Sequence, residues 1–221
     1  MSIKRIVIPA RAGSKGWPRK NVRLFDYTAD IIPQKYKKLV TVSTDDIQVA
    51  ALAQKHGYKV HDRPANMAED TSDIKTTMTD ILSYEDVAGD DIIIMLYLTY
   101  PYRKWEDVET MYNSFVTRKS RSMLCKQPVL SHPCLMMYNT KDDKGIPVID
   151  HNHYQRQQYP ECFEISHYIC MFRAGTLPRL GKNMYNSNTT YYSIDRCVDV
   201  DCEEDFLKYK KQHEYKDSYK Q

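Results

Sequence analysis

Four cations stand close together near the start of the chain: Arg11, Lys15, Arg19 and Lys20, within "VIPARAGSKGWPRKN", residues 7–21. Beside Arg11 lie Ala12, Gly13 and Ser14. Small residues let backbone N–H groups come close to an oxyanion. Arg adds a planar fork and Lys a point charge. The chemistry this favours is the holding of a phosphate chain. The G-x-x-x-x-G-K-[ST] and G-x-G-x-x-G patterns are both absent, so simple NTPase and dehydrogenase readings lose ground. A second candidate cluster is "DVDCEEDF", residues 199–206. Asp199 and Asp201 are two apart. At the end of a strand, both side chains would share one face. They could bind Mg²⁺, which often takes one or two carboxylates, with phosphate and water as its other ligands. The competing reading is the acidic first turn of a helix, favoured by the helix dipole. The pairing of this cluster with a cationic loop favours the metal.

The charge of the whole chain is nearly balanced, with 32 basic and 29 acidic residues among 221 and a net charge of +3. That argues against a general nucleic-acid binder, so the functional charge must be local. No stretch has the length and apolarity of a membrane span, and no secretory signal is visible. The six cysteines have no C-x-x-C spacing, and a reduced, cytoplasmic protein is expected. Apolar residues make up 42%, enough for a sizeable core.

These residues need a scaffold, and the apolar pattern supplies one. Residues 4–9 read as a strand that ends in Pro. Strands are also expected at 38–43 and 58–61, around a helix that starts near Thr44 and Asp45 and stops at Gly57. Asp45 reads about evenly as part of a helix cap or as a nucleotide-site residue. Ile74, Met78, Ile81 and Leu82 lie at helical spacing. "DIIIMLYL", residues 91–98, suits a strand buried on both faces. Val108, Met111, Tyr112 and Phe115 mark another helix. Alternating strands and helices predict an α/β fold, a Rossmann-like doubly wound and mostly parallel sheet. After Arg118 strands follow one another, at 122–129, 134–139, 146–149 and 163–172. They predict a β-rich extension at about 128–172 within a single domain, 1–221. A strand at 191–200 and a helix at 203–211 complete the chain, and the tail from His213 is expected to fray. Between Asn21 and Val40 there is room only for a stunted helix.

The opening loop resembles the N-terminal signature of the CMP-sialic acid synthetases, the acylneuraminate cytidylyltransferases. Further matches follow in order: "VSTDD" (43–46 with its preceding Val), "DRPANMAEDTS" (62–72), "LYLTYPYRKWEDVE" (96–109), "QRQQYP" (155–160) and "DVDCEEDF". The resemblance implies transfer of CMP from CTP to the anomeric hydroxyl of a sialic-acid-like 2-keto sugar acid, with release of pyrophosphate. By motif position it implies that Arg11, Ala12, Gly13, Ser14, Lys15, Lys20 and Asn21 hold the nucleotide, with Arg63 and Ser72. It makes Arg11, Lys15, Lys20 and Asp201 catalytic, and Asp199 and Asp201 the ligands of Mg²⁺. Tyr97, Thr99, Arg156 and Gln157 would meet the sugar acid. Arg156 would do so across a homodimer interface built by the extension. Tyr97 stands where the family commonly has Gln, and residues 166–170 have also changed, so the acceptor half departs further than the nucleotide half. Other readings are a nucleotidyltransferase for another NTP or for a 3-deoxy-octulosonate-type acid, and a non-catalytic nucleotide- or sugar-binding module.

Overall fold

The computed structural model describes residues 3–218, with side chains as far as Lys211. The first strand, β1 (Ile3–Pro9), lies between β2 (Val40–Thr44) and β4 (Ile92–Met95) and is parallel to both. Beyond β2 comes β3 (Lys59–Asp62), again parallel. On the other side, β8 (Phe163–Arg173) runs antiparallel between β4 and β5 (Ser122–Pro128), and β9 (Thr190–Ser193) closes that edge parallel to β5. The seven-stranded order is β3-β2-β1-β4-β8-β5-β9. This is the mostly parallel Rossmann-like α/β sheet that the alternating pattern predicts.

The period of two along each strand divides the core into two layers. Ile6, Ile8, Val40, Val42, Ile92 and Ile94 face one side. Covering them are Leu24 and Phe25 of α1 (Lys20–Ala29), Val49 and Ala53 of α2 (Ile47–Lys55), and Val108, Met111 and Phe115 of α5 (Trp105–Thr117). Val7, Ile93, Met95 and Phe172 face the other side, under Met78 and Ile81 of α4 (Ile74–Ser83). The short α3 (Ala65–Ala68) lies between β3 and α4.

Four expectations are corrected. The segment after Asn21 is not stunted: α1 has ten residues, and Leu24, Phe25, Thr28 and Ala29 are fully buried against the sheet. A 3₁₀ stretch, Gln34–Leu39, then returns the chain to β2 without a second helix. The extension is shorter than 128–172 at its C-terminal end, because Cys170 to Arg173 pair with β4 inside the main sheet. The projecting arm is therefore about 129–162, with a small hairpin of β6 (Met137–Asn139) and β7 (Gly145–Pro147). Finally, β9 stops at Ser193, and 194–200 run on without strand pairing. The last helix, α6 (Glu203–Ser218), is longer than expected; the tail expected to fray is helical to Ser218, and residues 219–221 lie outside the described residues.

All six cysteines are free. Among the described residues, no helix is long and apolar enough to cross a membrane.

Candidate active site

The loop after β1 is tied down at several points. The Ala10 N–H donates to Ser43 O at 2.9 Å, and Thr44 Oγ1–H donates to Ala10 O at 2.6 Å. The Ala12 N–H donates to Asp45 Oδ1 at 2.7 Å, and Asn21 Nδ2 donates to Arg11 O at 2.8 Å. Asp46, not Asp45, caps α2, by accepting from the Gln48 and Val49 N–H groups. Asp45 is thereby free to hold the loop. Gly13 adopts φ +76°, a left-handed backbone that glycine enters at no steric cost. At Gly16 a Cβ would sit 2.7 Å from the Asp201 carbonyl oxygen, so the loop packs directly on the backbone that carries Asp201.

The helix α1 begins at Lys20, and its first turn sends Lys20 and Asn21 to the cleft. The Lys20 side chain is almost buried, and its Nζ donates to Asp201 Oδ1 at 2.9 Å. Arg11 Nη2 donates to Asp70 Oδ1 at 2.7 Å, and Nη1 donates to Ala68 O at 3.2 Å. Lys15 pairs with the other oxygen of Asp70. Hydrogen bonds from Lys15 and then Arg11 hold the Asp70 carboxyl below the usual carboxylate range. Three of the expected phosphate cations, Arg11, Lys15 and Lys20, are thus paired with carboxylates, whereas Arg19 donates to the Gln48 amide.

A cleft of about 250 Å³ lies beyond the strand ends. Arg11, Ser14, Lys20, Asn21, Arg63, Ser72, Tyr97 and Thr99 all line it. Arg63 is only 6% exposed. Its Nε donates to Ser43 Oγ and its Nη2 to Ser43 O, both at 3.1 Å. Burial lowers its guanidinium from the ordinary value to about 10. An anion in the cleft would offset that loss of hydration. Ser72 Oγ–H donates to Asn66 O at 2.7 Å, which holds it beside α4. Burial raises the Tyr97 phenol above its ordinary value, and its ring meets His167 edge-on at 5.8 Å. Below the cleft, the fully buried Arg103 donates to Tyr97 O and Tyr168 O at 2.8 and 2.7 Å. It braces the Tyr97–Thr99 turn from behind.

The acidic pair does not line the cleft itself, but without a strand it is brought against two residues that do, Lys20 and Thr99. The Val200 N–H donates to Thr99 O at 2.8 Å, and this bond seats the segment against the cleft wall. Asp199 accepts from Tyr100 Oη–H at 3.2 Å. It keeps a face to solvent, yet desolvation raises its carboxyl, with the charge of Asp201 acting in the same direction and hydrogen bonding from Thr99 against it. Asp201 is largely exposed. Two electrostatically coupled carboxylates, one of them desolvated, fit the hard-oxygen donor set of Mg²⁺. Among the described residues, no group of three or more His, Cys, Asp or Glu could enclose a metal. A cation there would therefore rely on phosphate and water for its remaining ligands.

Arg156 and Gln157 are not brought to the cleft. They sit on an exposed 3₁₀ turn, Arg156–Gln158, in the projecting arm. Sequence reasoning also missed Asp70. Its signal was the acidic pair inside "ANMAEDTS", which carries the only residue paired with both Arg11 and Lys15 among the described residues.

Residues 5–112 match the model of a family described as cytidylyltransferase. The chain is similar to the post-translational flagellin modification protein B of Campylobacter coli, 28% identical over 212 residues and 90% of each chain. It is 27% identical, over the same shares, to a CMP-N,N'-diacetyllegionaminic acid synthase of Campylobacter jejuni. Among solved structures, a CMP:2-keto-3-deoxy-manno-octonic acid synthetase complexed with CTP shares the fold at a TM-score of 0.68 and 17% identity, over 97% of this chain and 100% of that one.

Proposed function

We propose that this chain, a member of the cytidylyltransferase family through its residues 5–112, transfers CMP from CTP to a sialic-acid-like 2-keto sugar acid. The observation that carries the reading is the contact between the cationic loop and the acidic pair: Lys20, which lines the cleft, donates to Asp201. In this reading the phosphates of CTP displace Asp70 from Arg11 and Lys15. The N–H groups of Gly13 and Ser14 would face the same phosphates, while the Ala12 N–H stays on Asp45, and Arg63, Ser72 and Asn21 hold the nucleoside end. The anomeric hydroxyl of the sugar acid attacks the α-phosphorus. The bond from that phosphorus to the bridging oxygen breaks, and pyrophosphate leaves. Nucleotidyl transfer needs positioning and charge neutralisation more than covalent help, which is what a cradle of fixed cations provides. Mg²⁺ held by Asp199 and Asp201 would add charge stabilisation and lower the pKa of a coordinated hydroxyl. Tyr97 and Thr99 border the acceptor side. Arg156 and Gln157, which do not line their own cleft, would meet the sugar carboxylate from a second copy of the chain.

The relatives' names support a sugar acid with a legionaminate- or sialate-like skeleton. The test is calorimetric titration with CTP, ATP, GTP and UTP, with and without Mg²⁺, followed by a pyrophosphate-release assay over a panel of ulosonic acids. Selective, Mg²⁺-strengthened CTP binding and release with one such acid is expected. Preference for another nucleotide would move the reading to a different nucleotidyltransferase. Absence of binding would leave a non-catalytic module.

A further inference from the structure

Arg63 is held by Ser43, and Ser43 is itself held. His61 is its register partner on β3, and His61 Nδ1 lies 3.0 Å from Ser43 Oγ. On the other side of the ring, His61 Nε2 lies 2.9 Å from Asp80 Oδ2 of α4. The side chains of His61 and Asp80 are 10% and 19% exposed, and Ser43 is fully buried. Arg63, Ser43, His61 and Asp80 thus form a continuous line. It runs from the cleft to a separate hollow of about 420 Å³ lined by His61, Asp80 and Tyr84.

The donor inventory fixes the direction of the line. An ionised Asp80 only accepts, so His61 Nε2 carries the proton and donates to it. Nδ1 is then an acceptor, and the Ser43 hydroxyl donates to it. The Ser43 oxygen accepts in turn from Arg63 Nε. Each group has one role and none conflicts. The order Ser-His-Asp is that of a nucleophilic triad, but Ser43 lies inside β2 between two paired strands, where no substrate can reach it. Its bonds go instead to a guanidinium at the nucleotide cleft. Nε and Nη2 of Arg63 are engaged by Ser43, and Nη1 makes no hydrogen bond among the described residues.

We propose that His61 and Asp80 are positioning residues for the nucleotide cleft, holding the Arg63 guanidinium at the nucleotide through the Ser43 hydroxyl. This rests on the reading of the cleft as a CTP site. A packing role alone would affect stability without depending on Arg63, so the two roles separate in a double-mutant cycle.

The experiment is calorimetric CTP binding with Mg²⁺ present, at a temperature where every variant is folded. His61→Ala should weaken binding roughly tenfold, as loss of one hydrogen bond to a charged group does. Asp80→Asn should weaken it by a smaller factor, because His61 loses the partner that fixes its tautomer. His61→Asn, whose amide oxygen can accept from Ser43, should restore most of the affinity. In an Arg63→Ala background the effects of His61→Ala and Asp80→Asn should vanish. His56→Ala, which breaks a comparable His–Asp pair with Asp26 elsewhere, should leave binding unchanged. Wild-type affinity in both His61→Ala and Asp80→Asn, or losses that persist undiminished without Arg63, would overturn the proposal. Should His61→Ala not fold, Asp80→Asn alone and with Arg63→Ala decides by the same criterion. A wild-type chain that binds no CTP would remove the reading of the cleft and this inference with it.

Discussion

Two irregular segments leave the sheet, and they are held in opposite ways. The loop after β1 is anchored to β2, α1 and the 194–202 segment by hydrogen bonds from Ala10, Ala12, Asn21 and Lys20. The arm at 129–162 is held mostly by itself: His132 bonds Pro160 O, His151 bonds Cys134 O, and the His132 and Tyr159 rings stack. The loop displays charge on a rigid base. The arm displays apolar side chains, with Leu130, Met137, Tyr138, Ile146 and Tyr154 all more than half exposed. Exposed apolar side chains on such an arm are what the proposed homodimer would need to bury.

The comparison can be broken from either side. The largest effect is expected at the loop's acidic partner. Asp201→Ala should reduce pyrophosphate release by roughly 10²–10³-fold or more, and lower the melting temperature because the almost buried Lys20 loses its carboxylate. Unchanged turnover would take Asp201 out of the chemistry. Next comes the arm. Met137→Asp combined with Tyr138→Asp should convert a dimer to monomer in analytical ultracentrifugation and raise the KM for the sugar acid. Binding of CTP should not change, because the cleft shares no residue with the hairpin. A monomer with full activity would end the role of Arg156 across subunits. The smallest effect is at Asp199. A carboxyl raised on folding favours the folded state while protonated, and that contribution is lost as pH rises through the raised value. Asp199→Asn should therefore flatten the fall in melting temperature with rising pH and leave the variant no less stable at neutral pH. The same variant should lose the Mg²⁺ dependence of CTP binding. A less stable variant at neutral pH would show that Asp199 is not strained by its surroundings.

The same contrast explains what could be read from the sequence. The strands of the first half were legible because alternating or continuous apolar runs, such as "IVI" and "DIIIM", leave little choice of structure. The cationic loop was legible because charge clusters stand out in a near-neutral chain. Asp70 was not, because its role depends on the segment after β3 folding back over the loop. The strand expected at 191–200 forms only to Ser193, because Cys197 and Val198 beyond it pack on the core singly. The helix α1 is longer than expected because Leu24, Phe25 and Ala29 make a sufficient apolar face by themselves. Placing β8 inside the sheet needed pairing between residues far apart in sequence, which no local pattern encodes.

The bond between Lys20 and Asp201 joins residues 181 positions apart. On a ribosome adding about 5–20 residues each second, the cationic loop would be made roughly ten to forty seconds before its acidic counterpart. Until then a lysine destined for burial has no carboxylate to receive it, amid ribosomal RNA that offers phosphate in abundance. The nascent chain can form the parallel strands β1 to β4 and the cationic loop early. It can acquire the carboxylates of the acidic pair only near the end of synthesis, after β8 and β9 have completed the sheet.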